Sequence, residues 1–150
     1  MSSSSRIIRD KVDLNKLVEE VVAKSGFKAG AVVLFIGFVK KEINGVEVKE
    51  LEYTVYEPYA TRKIGEIIEE ESKYPGVSVV EAIHRFGNLK PGEPTVYIAV
   101  ASISRKEAFE TASRVLERIK KEVPIFKLEK RVDGEYWVIG DGIRVSRRNV

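Results

Sequence analysis

The sequence has no cysteine, one histidine, one methionine and one tryptophan among its 150 residues. The absence of cysteine excludes disulfides, thiolate nucleophiles, iron–sulfur ligation and cysteine-based zinc sites. A single histidine, His84, cannot build a histidine-rich metal site by itself. Any chemistry must therefore come from Lys, Arg, Asp, Glu, Ser, Thr or Tyr side chains. The sequence predicts neither a bound metal nor a cofactor.

Long hydrophobic runs are also missing. No apolar stretch approaches the roughly 18 residues that a membrane helix needs, and the N-terminal residues include no apolar segment typical of a secretory signal. Residues 1–6 are expected to form a disordered lead-in, and 140–150 a tail. These features predict a cytoplasmic protein that does not bind membranes, with residues 1–150 forming a single domain.

The charge balance is nearly even, with 26 basic and 23 acidic residues and a net charge of +3. This small excess favours an anionic partner without identifying one. No long basic run alternates with aromatic residues, so nucleic acid is not an expected partner.

Hydrophobic periodicity predicts three helices and six strands in one α+β domain, with a mainly antiparallel sheet and the helices packed on one side. Asp13 is placed to cap the first helix, and a Ser104–Glu107 capping box is expected to begin the third. Pro124 is expected to end that third helix near Glu122. Its predicted apolar stripe consists of Phe109, Ala112, Val115, Leu116 and Ile119. Hairpin turns are predicted at residues 44–45 and 133–134, and residues 30–40 are typical of a buried strand.

The stretch "RIKKEVPIFKLEK", residues 118–130, holds two lysines on either side of a proline bend. Lys120 and Lys127 can be ordinary exposed lysines, as most are. Alternatively, residues 123–126 form a rigid apolar corner that aims both ammonium groups into one cleft. There they would bind anions, and a lysine with a lowered pKa would transfer protons.

Three other polar motifs have both a structural and a functional interpretation. Ser104 and Arg105 begin a helix, where they can cap it or bind an anion. His84 and Arg85 at a strand end are more often structural. Lys40 and Lys41 can simply protect a strand end from pairing with another chain.

Taken together and in order, five motifs resemble the family of large, catalytic subunits of molybdopterin synthase. They span about residues 30–138, with gaps that match the family. The motifs are "GAVVLFIGFVK", "LEYTVYEPYA", "HRFGNLKPGE", "SRKEAFETA" and "KKEVPIFKLE".

The resemblance implies a sulfurtransferase that converts cyclic pyranopterin monophosphate (precursor Z) to molybdopterin. The sulfur would arrive as a thiocarboxylate on the C-terminal Gly-Gly of a ubiquitin-like small subunit. It also implies a homodimer of this chain that binds two small subunits, giving a heterotetramer. A chain without cysteine fits this scheme, because it needs a separate sulfur donor.

The resemblance also implies the site. Lys120 matches the essential lysine of the family and Lys127 the second active-site lysine, so both are expected to be catalytic. The implied substrate-binding residues are Phe38, Val39, Lys40, Ser104, Arg105, Lys120, Lys127, Leu128 and Glu129. The chain departs from the family at Ser104, where histidine is common, and at Lys40, where arginine is common. In the tail, Arg144 is a candidate for an arginine that family members offer across the dimer.

Two other functions remain open at this level. A basic α+β domain can be a non-catalytic module that binds RNA or protein. A member of the family can also be a scaffold for ubiquitin-like proteins. Retention of both lysines argues against the scaffold, whereas Ser104 leaves it open.

Overall fold

The computed structural model describes residues 6–139 and 142–149. Within these residues the strands are β1 (Ile7–Ile8), β2 (Ala31–Phe38), β3 (Glu42–Ile43), β4 (Val46–Val55), β5 (Val77–Arg85), β6 (Gly87–Leu89), β7 (Pro94–Ser102), β8 (Ile125–Arg131), β9 (Gly134–Ile139) and β10 (Ile143–Ser146). The helices are α1 (Leu14–Lys24), α2 (Tyr59–Glu71) and α3 (Arg105–Glu122), with a 3₁₀ helix at Arg147–Asn149. Most of the expected lead-in, residues 1–5, lies outside the described residues, as do 140, 141 and 150 of the expected tail.

The strands form two sheets rather than one. The first has the order β1-β5-β7-β2, in which only β1 and β5 are parallel. The second has the order β10-β9-β8-β4-β3, and β6 also pairs with β4. All of its pairs are antiparallel. The α+β prediction is therefore confirmed, with the strands divided between two sheets.

The helices cover both faces of the first sheet, because successive strand residues point to opposite sides. Val96, Ile98 and Val100 of β7 pack against α2 and α3. The alternate residues Tyr97 and Ala99 pack against α1. The prediction that all helices lie on one side is therefore wrong for α1. Asp13 caps α1 as predicted, and its carboxylate accepts from the Lys16 N–H at 3.2 Å.

Helix α3 ends where the sequence predicts, but its buried face differs from the predicted stripe, of which Ala112, Val115 and Ile119 are buried and Leu116 is half-buried. The buried residues are Ala108, Thr111, Ala112, Val115 and Ile119. Phe109 is 64% exposed, so its place in the predicted stripe is wrong. The Ser104 hydroxyl donates to the Glu107 carboxylate instead of accepting from the helix backbone, so the predicted capping box does not form. The helix stops at Glu122, just before Pro124.

Two strand predictions need correction. β2 is an edge strand of the first sheet, and its residues are half-buried or exposed rather than fully buried. Residues 77–89 form two strands because the chain leaves the first sheet after Arg85 and enters the second at Gly87. Gly87 has a φ of 94°, which favours glycine at this crossing.

Both predicted hairpins form. Asn44 and Gly45 have positive φ values of 50° and 80°, as expected of a two-residue hairpin turn. The β8–β9 turn is at Val132 and Asp133, one residue earlier than predicted, because Gly134 pairs with Arg131. Among the described residues, no helix is both long and apolar enough to cross a membrane.

Candidate active site

A cavity of about 360 Å³ lies where the two sheets meet, beside the C-terminal turn of α3. Residues from β2, β5 and β7 line it on one side, and residues from β3, β4, β8, β9 and β10 on the other. Among the described residues, four cationic side chains and one carboxylate line it. Such a cavity suits an anionic ligand.

Lys120 and Lys127 both line this cavity, although six residues and a bend separate them in sequence. Lys120 lies in the last turn of α3, where a cation is favourable at the negative end of the helix dipole. Lys127 lies on β8, two residues beyond Ile125, so the side chains of Ile125 and Lys127 are on the same face of the strand. The bend at Pro124 thus places the two lysines around one cavity.

The surroundings of Lys127 lower its pKa. Burial lowers its pKa below 10.5, and the positive charges of Lys120, Arg144 and Lys40 lower it further. Glu129 acts in the opposite direction but does not cancel the decrease. A lysine with a lowered pKa releases a proton more readily, so Lys127 is suited to proton transfer as well as to charge stabilisation.

Glu129 is 1% exposed and forms a two-point ion pair with Arg144 of β10. Arg144 Nε donates to Glu129 Oε1 at 2.9 Å, and Arg144 Nη2 donates to Oε2 at 3.2 Å. This parallel geometry is the strong form of a carboxylate–guanidinium contact. In this chain Arg144 therefore lies at its own cavity, whereas the resemblance implied an arginine offered across a dimer.

The structure brings five of the predicted site residues to the cavity: Phe38, Lys40, Lys120, Lys127 and Glu129. Val39 is buried and packs against Val48 and Leu51, which line the cavity, so it supports the wall from behind. Leu128 is buried on the face of β8 opposite Lys127 and does not line the cavity.

The apolar corner contributes only half of its residues to the cavity wall. Val123 and Ile125 line the cavity, whereas Pro124 does not. Phe126 is 52% exposed on the other face of β8, so its predicted place in the wall is wrong.

Ser104 and Arg105 do not join the other predicted residues. Both are exposed at the N-terminal end of α3. Arg105 is 15 residues before Lys120 on the same helix, which corresponds to about 22 Å at 1.5 Å per residue. Within one chain, a single small substrate cannot contact both residues.

Three uncharged polar side chains line the cavity but were not among the expected site residues: Tyr53, His84 and Thr95. Tyr53 is paired directly with Lys127 across β4 and β8, which places both on one face. Burial raises the pKa of Tyr53 to about 12, although a hydrogen bond with Thr95 acts against this. Finding Tyr53 from sequence would have required the register between these strands.

His84 and Arg85 have separate roles. Arg85 is structural: its guanidinium donates to the Arg9 carbonyl at 2.9 and 3.0 Å and to the Pro94 carbonyl at 2.9 Å. His84 instead lines the cavity. Burial lowers the pKa of its imidazole to about 4, and the charge of Lys127 contributes to this decrease.

Protonation of His84 is expected to destabilise the fold in acid. Its pKa is about 4 in the folded chain and 6.5 when unperturbed, so the unfolded chain binds the additional proton between these values. Stability is therefore fully present above pH 6.5 and is lost as the pH falls towards 4, by up to about 3 kcal/mol. His84→Asn should lose correspondingly less stability than wild type between pH 7 and pH 4, measured by urea unfolding. Equal losses in both proteins would contradict the assignment.

The described residues hold no group of three or more His, Asp or Glu side chains that could bind a metal ion. The polar groups of the cavity are instead suited to bind an anion and to move protons.

Comparisons with known proteins give consistent matches. Residues 7–122 match the family profile described as MoaE protein. A molybdopterin synthase catalytic subunit from Bacillus subtilis is 39% identical over 141 residues, covering 93% of this chain and 87% of the relative. The subunit of the same name from Pyrococcus abyssi is 34% identical over 143 residues, covering 93% of each chain.

Among solved structures, molybdopterin synthase from Staphylococcus aureus superposes with a TM-score of 0.81 at 34% identity. The match covers 92% of this chain and 98% of that chain. These matches confirm the resemblance inferred from the five sequence motifs.

Proposed function

The chain belongs to the MoaE protein family and acts in molybdopterin biosynthesis, and from this premise we propose that its cavity transfers sulfur to cyclic pyranopterin monophosphate to form molybdopterin. The proposed donor is the thiocarboxylate at the C-terminal Gly-Gly of a ubiquitin-like small subunit. The observation that supports this most directly is the convergence of Lys120 and Lys127, from two different elements, on one cationic cavity.

Sulfur transfer from a thiocarboxylate requires two steps. A C–S bond forms to the pterin side chain as a C–O bond of the same carbon breaks and its oxygen leaves, taking up a proton where needed. The acyl C–S bond to the tail then breaks as water attacks the tail carbonyl, which leaves the tail as a carboxylate. Negative charge develops on that carbonyl oxygen, and Lys127 is placed to stabilise it in the partly dry cavity. Lys120 performs proton transfer or transiently engages the tail carbonyl. Two sulfurs are needed, so two donors act in succession.

The remaining cations are proposed to bind the anionic groups of the two substrates. Lys40 and Arg144 line the same cavity as the two catalytic lysines. Lys40 acts as a point charge, since an ammonium group cannot make the two-point contact of a guanidinium. Phe38 is 56% exposed and lines the cavity, so it offers an apolar surface at the opening. Glu129 holds Arg144 in place.

We further propose that two copies of this chain form a homodimer that binds two small subunits, giving a heterotetramer. A substrate-binding role for Ser104 and Arg105 would require such a second copy. Because they lie about 22 Å from Lys120 along the helix, they can contact the substrate only at the cavity of a second copy. A cytoplasmic location remains a prediction from sequence.

Reconstitution tests this function. The chain is mixed with a thiocarboxylated ubiquitin-like small subunit and cyclic pyranopterin monophosphate, and molybdopterin is detected as its oxidised fluorescent derivative. Product is expected only when all three components are present. Absence of product while the small subunit remains bound would support a scaffold instead.

The geometry does not favour a module that binds RNA. The cations converge around one cavity between the two sheets rather than forming a row along an open surface. Binding to a phosphate backbone weakens steeply as salt rises, whereas binding of a small pterin phosphate should depend less on salt. Titration of the chain with RNA and with the pterin at two salt concentrations separates these cases.

A further inference from the structure

The imidazole of His84 is held in a fixed orientation at the junction of the two sheets. His84 is the penultimate residue of β5, is 7% exposed and lines the cavity. Its ring meets the Tyr53 ring edge-on, with centroids 4.9 Å apart and an interplanar angle of 69°. Its backbone N–H donates to the Arg6 carbonyl at 2.8 Å. Ring packing and backbone pairing thus limit how the imidazole can turn.

The hydrogen bond of His84 Nδ1 determines which ring nitrogen has the proton. Nδ1 lies 2.7 Å from the Arg85 carbonyl oxygen. A carbonyl only accepts hydrogen bonds, so Nδ1 must be the N–H donor. Because burial keeps the pKa near 4, the ring is neutral at physiological pH. Nε2 therefore has an unprotonated lone pair.

Two observations indicate that Nε2 of His84 opens onto the cavity, which His84 lines. It has no hydrogen-bond partner in the part of the chain that the structure describes. Among the described side chains, Arg6 Nε is the buried nitrogen or oxygen atom that lacks a hydrogen-bond partner. His84 Nε2 also lacks a partner but is not such a buried atom, so it must be accessible. The one nitrogen of this ring that can accept a hydrogen bond is thus available to a molecule in the cavity.

Among the residues that the structure describes, the other polar side chains of the cavity do not offer an equivalent acceptor. Lysine and arginine side chains only donate. Both oxygens of Glu129 already accept from Arg144. The hydroxyls of Tyr53 and Thr95, which also line the cavity, can donate as well as accept. His84 Nε2 therefore differs from these described side chains as a neutral acceptor that cannot also donate.

We propose that His84 is a substrate-binding residue whose Nε2 accepts a hydrogen bond from a ring N–H or amino N–H of the pterin. This inference rests on the function proposed above and adds to it the group that recognises the heterocycle. The cations attract the phosphate and the thiocarboxylate, while a lone pair repels anions and selects an N–H donor. The cavity would thereby fix which end of the pterin faces the lysines.

Two variants separate the two nitrogens of His84. Asparagine can place an N–H near the position of Nδ1 and keep the bond to the Arg85 carbonyl, but it has no atom that reaches Nε2. Glutamine is longer and can place its carbonyl oxygen near Nε2. His84→Asn is expected to raise the Kd for cyclic pyranopterin monophosphate about tenfold. His84→Gln should restore much of the affinity.

Calorimetry with two probes measures the effect. The Kd of cyclic pyranopterin monophosphate should change as stated, whereas the Kd of inorganic phosphate should be the same in all variants. Equal pterin Kd values for wild type, His84→Asn and His84→Gln would overturn the inference. If His84→Asn does not fold, His84→Phe replaces it, because it also lacks the acceptor and keeps an aromatic ring beside Tyr53.

The result is separable from a failure of the proposed function. Turnover by the wild-type chain tests the function, and the pterin Kd values test His84. Turnover with unchanged Kd values in the variants overturns only the role of His84. No turnover by wild type overturns the proposed function, and the ratio of pterin Kd values still decides whether His84 accepts a hydrogen bond.

Discussion

Lys120→Ala is expected to lower the rate of molybdopterin formation by about 10²- to 10⁴-fold, the usual range for loss of a group that transfers a proton in the transition state. That loss corresponds to about 3 to 5 kcal/mol of transition-state stabilisation. The fold should tolerate the change, because Lys120 is an exposed residue at the end of α3. Affinity for the small subunit should change little by comparison with the rate.

Lys121→Ala is the matched control for this substitution. Lys121 is the next residue of α3, is exposed and does not line the cavity. Both substitutions remove a single positive charge from the last turn of the same helix, so they change the helix dipole interaction similarly. Lys121→Ala should keep near wild-type turnover. Equal losses in the two variants would show that net charge, rather than the position of Lys120, supports the activity.

Lys127→Met is expected to have opposite effects on activity and stability. Turnover should fall by about 10²- to 10³-fold, as when an enzyme loses one group that stabilises a developing oxyanion. The melting temperature at pH 7 should nevertheless rise. Because burial lowers the pKa of Lys127 below its unfolded value, its protonated form destabilises the folded chain at neutral pH. Methionine fills similar space without that charge.

Lys130→Met provides the control on the same strand. Lys130 Nζ lies 3.1 Å from Glu50 Oε2 and 3.1 Å from Glu52 Oε1, so its charge is paired. Although burial lowers the pKa of Lys130, hydrogen bonds with these carboxylates raise it by more. Its loss should therefore reduce the melting temperature slightly and leave turnover intact. A lower melting temperature for Lys127→Met would contradict the proposed cost of burying that lysine.

A lower turnover together with a higher melting temperature in Lys127→Met would indicate that Lys127 is retained for chemistry rather than for folding. Residues that reduce stability at a functional site are common, since activity often needs a buried charge that the fold alone would not select. Thermal unfolding at pH 7 and at pH 10 distinguishes this from a packing effect. The difference in melting temperature between wild type and Lys127→Met should be smaller at pH 10, because Lys127 loses its proton as the pH rises.

Local patterns in the sequence predict most of the elements and the two lysines. The proline after α3 ends the helix and bends the chain, so Lys120 and Lys127 can be expected near one another. Helix periodicity identifies α1, α2 and α3 because each has a buried stripe. Both signals depend only on neighbours within a few residues.

Properties that depend on distant pairing are not evident in the sequence. The division into two sheets depends on the crossing at Gly87, which local periodicity does not distinguish from a continuous strand. The cross-strand register places Tyr53 beside Lys127. His84 lies at the meeting of the sheets, so its cavity-facing nitrogen became visible only in the assembled fold.

Motif similarity alone also misplaces some residues. Leu128 and Phe126 lie within the motif around Lys127 but on the other face of β8, since side chains alternate along a strand. Ser104 and Arg105 belong to a second motif that the length of α3 holds away from the cavity. Membership of a motif therefore does not show that a residue shares the site.

The most direct test of the central claim is a single-turnover measurement with both substrates bound in advance. Wild type and Lys120→Ala are loaded with cyclic pyranopterin monophosphate and thiocarboxylated small subunit, and molybdopterin is quantified over time. We expect rapid product formation by wild type and a rate at least about 100-fold lower for Lys120→Ala, despite equal loading. Equal rates in the two proteins, or no product from loaded wild type, would contradict the assignment of this cavity as the site of sulfur transfer.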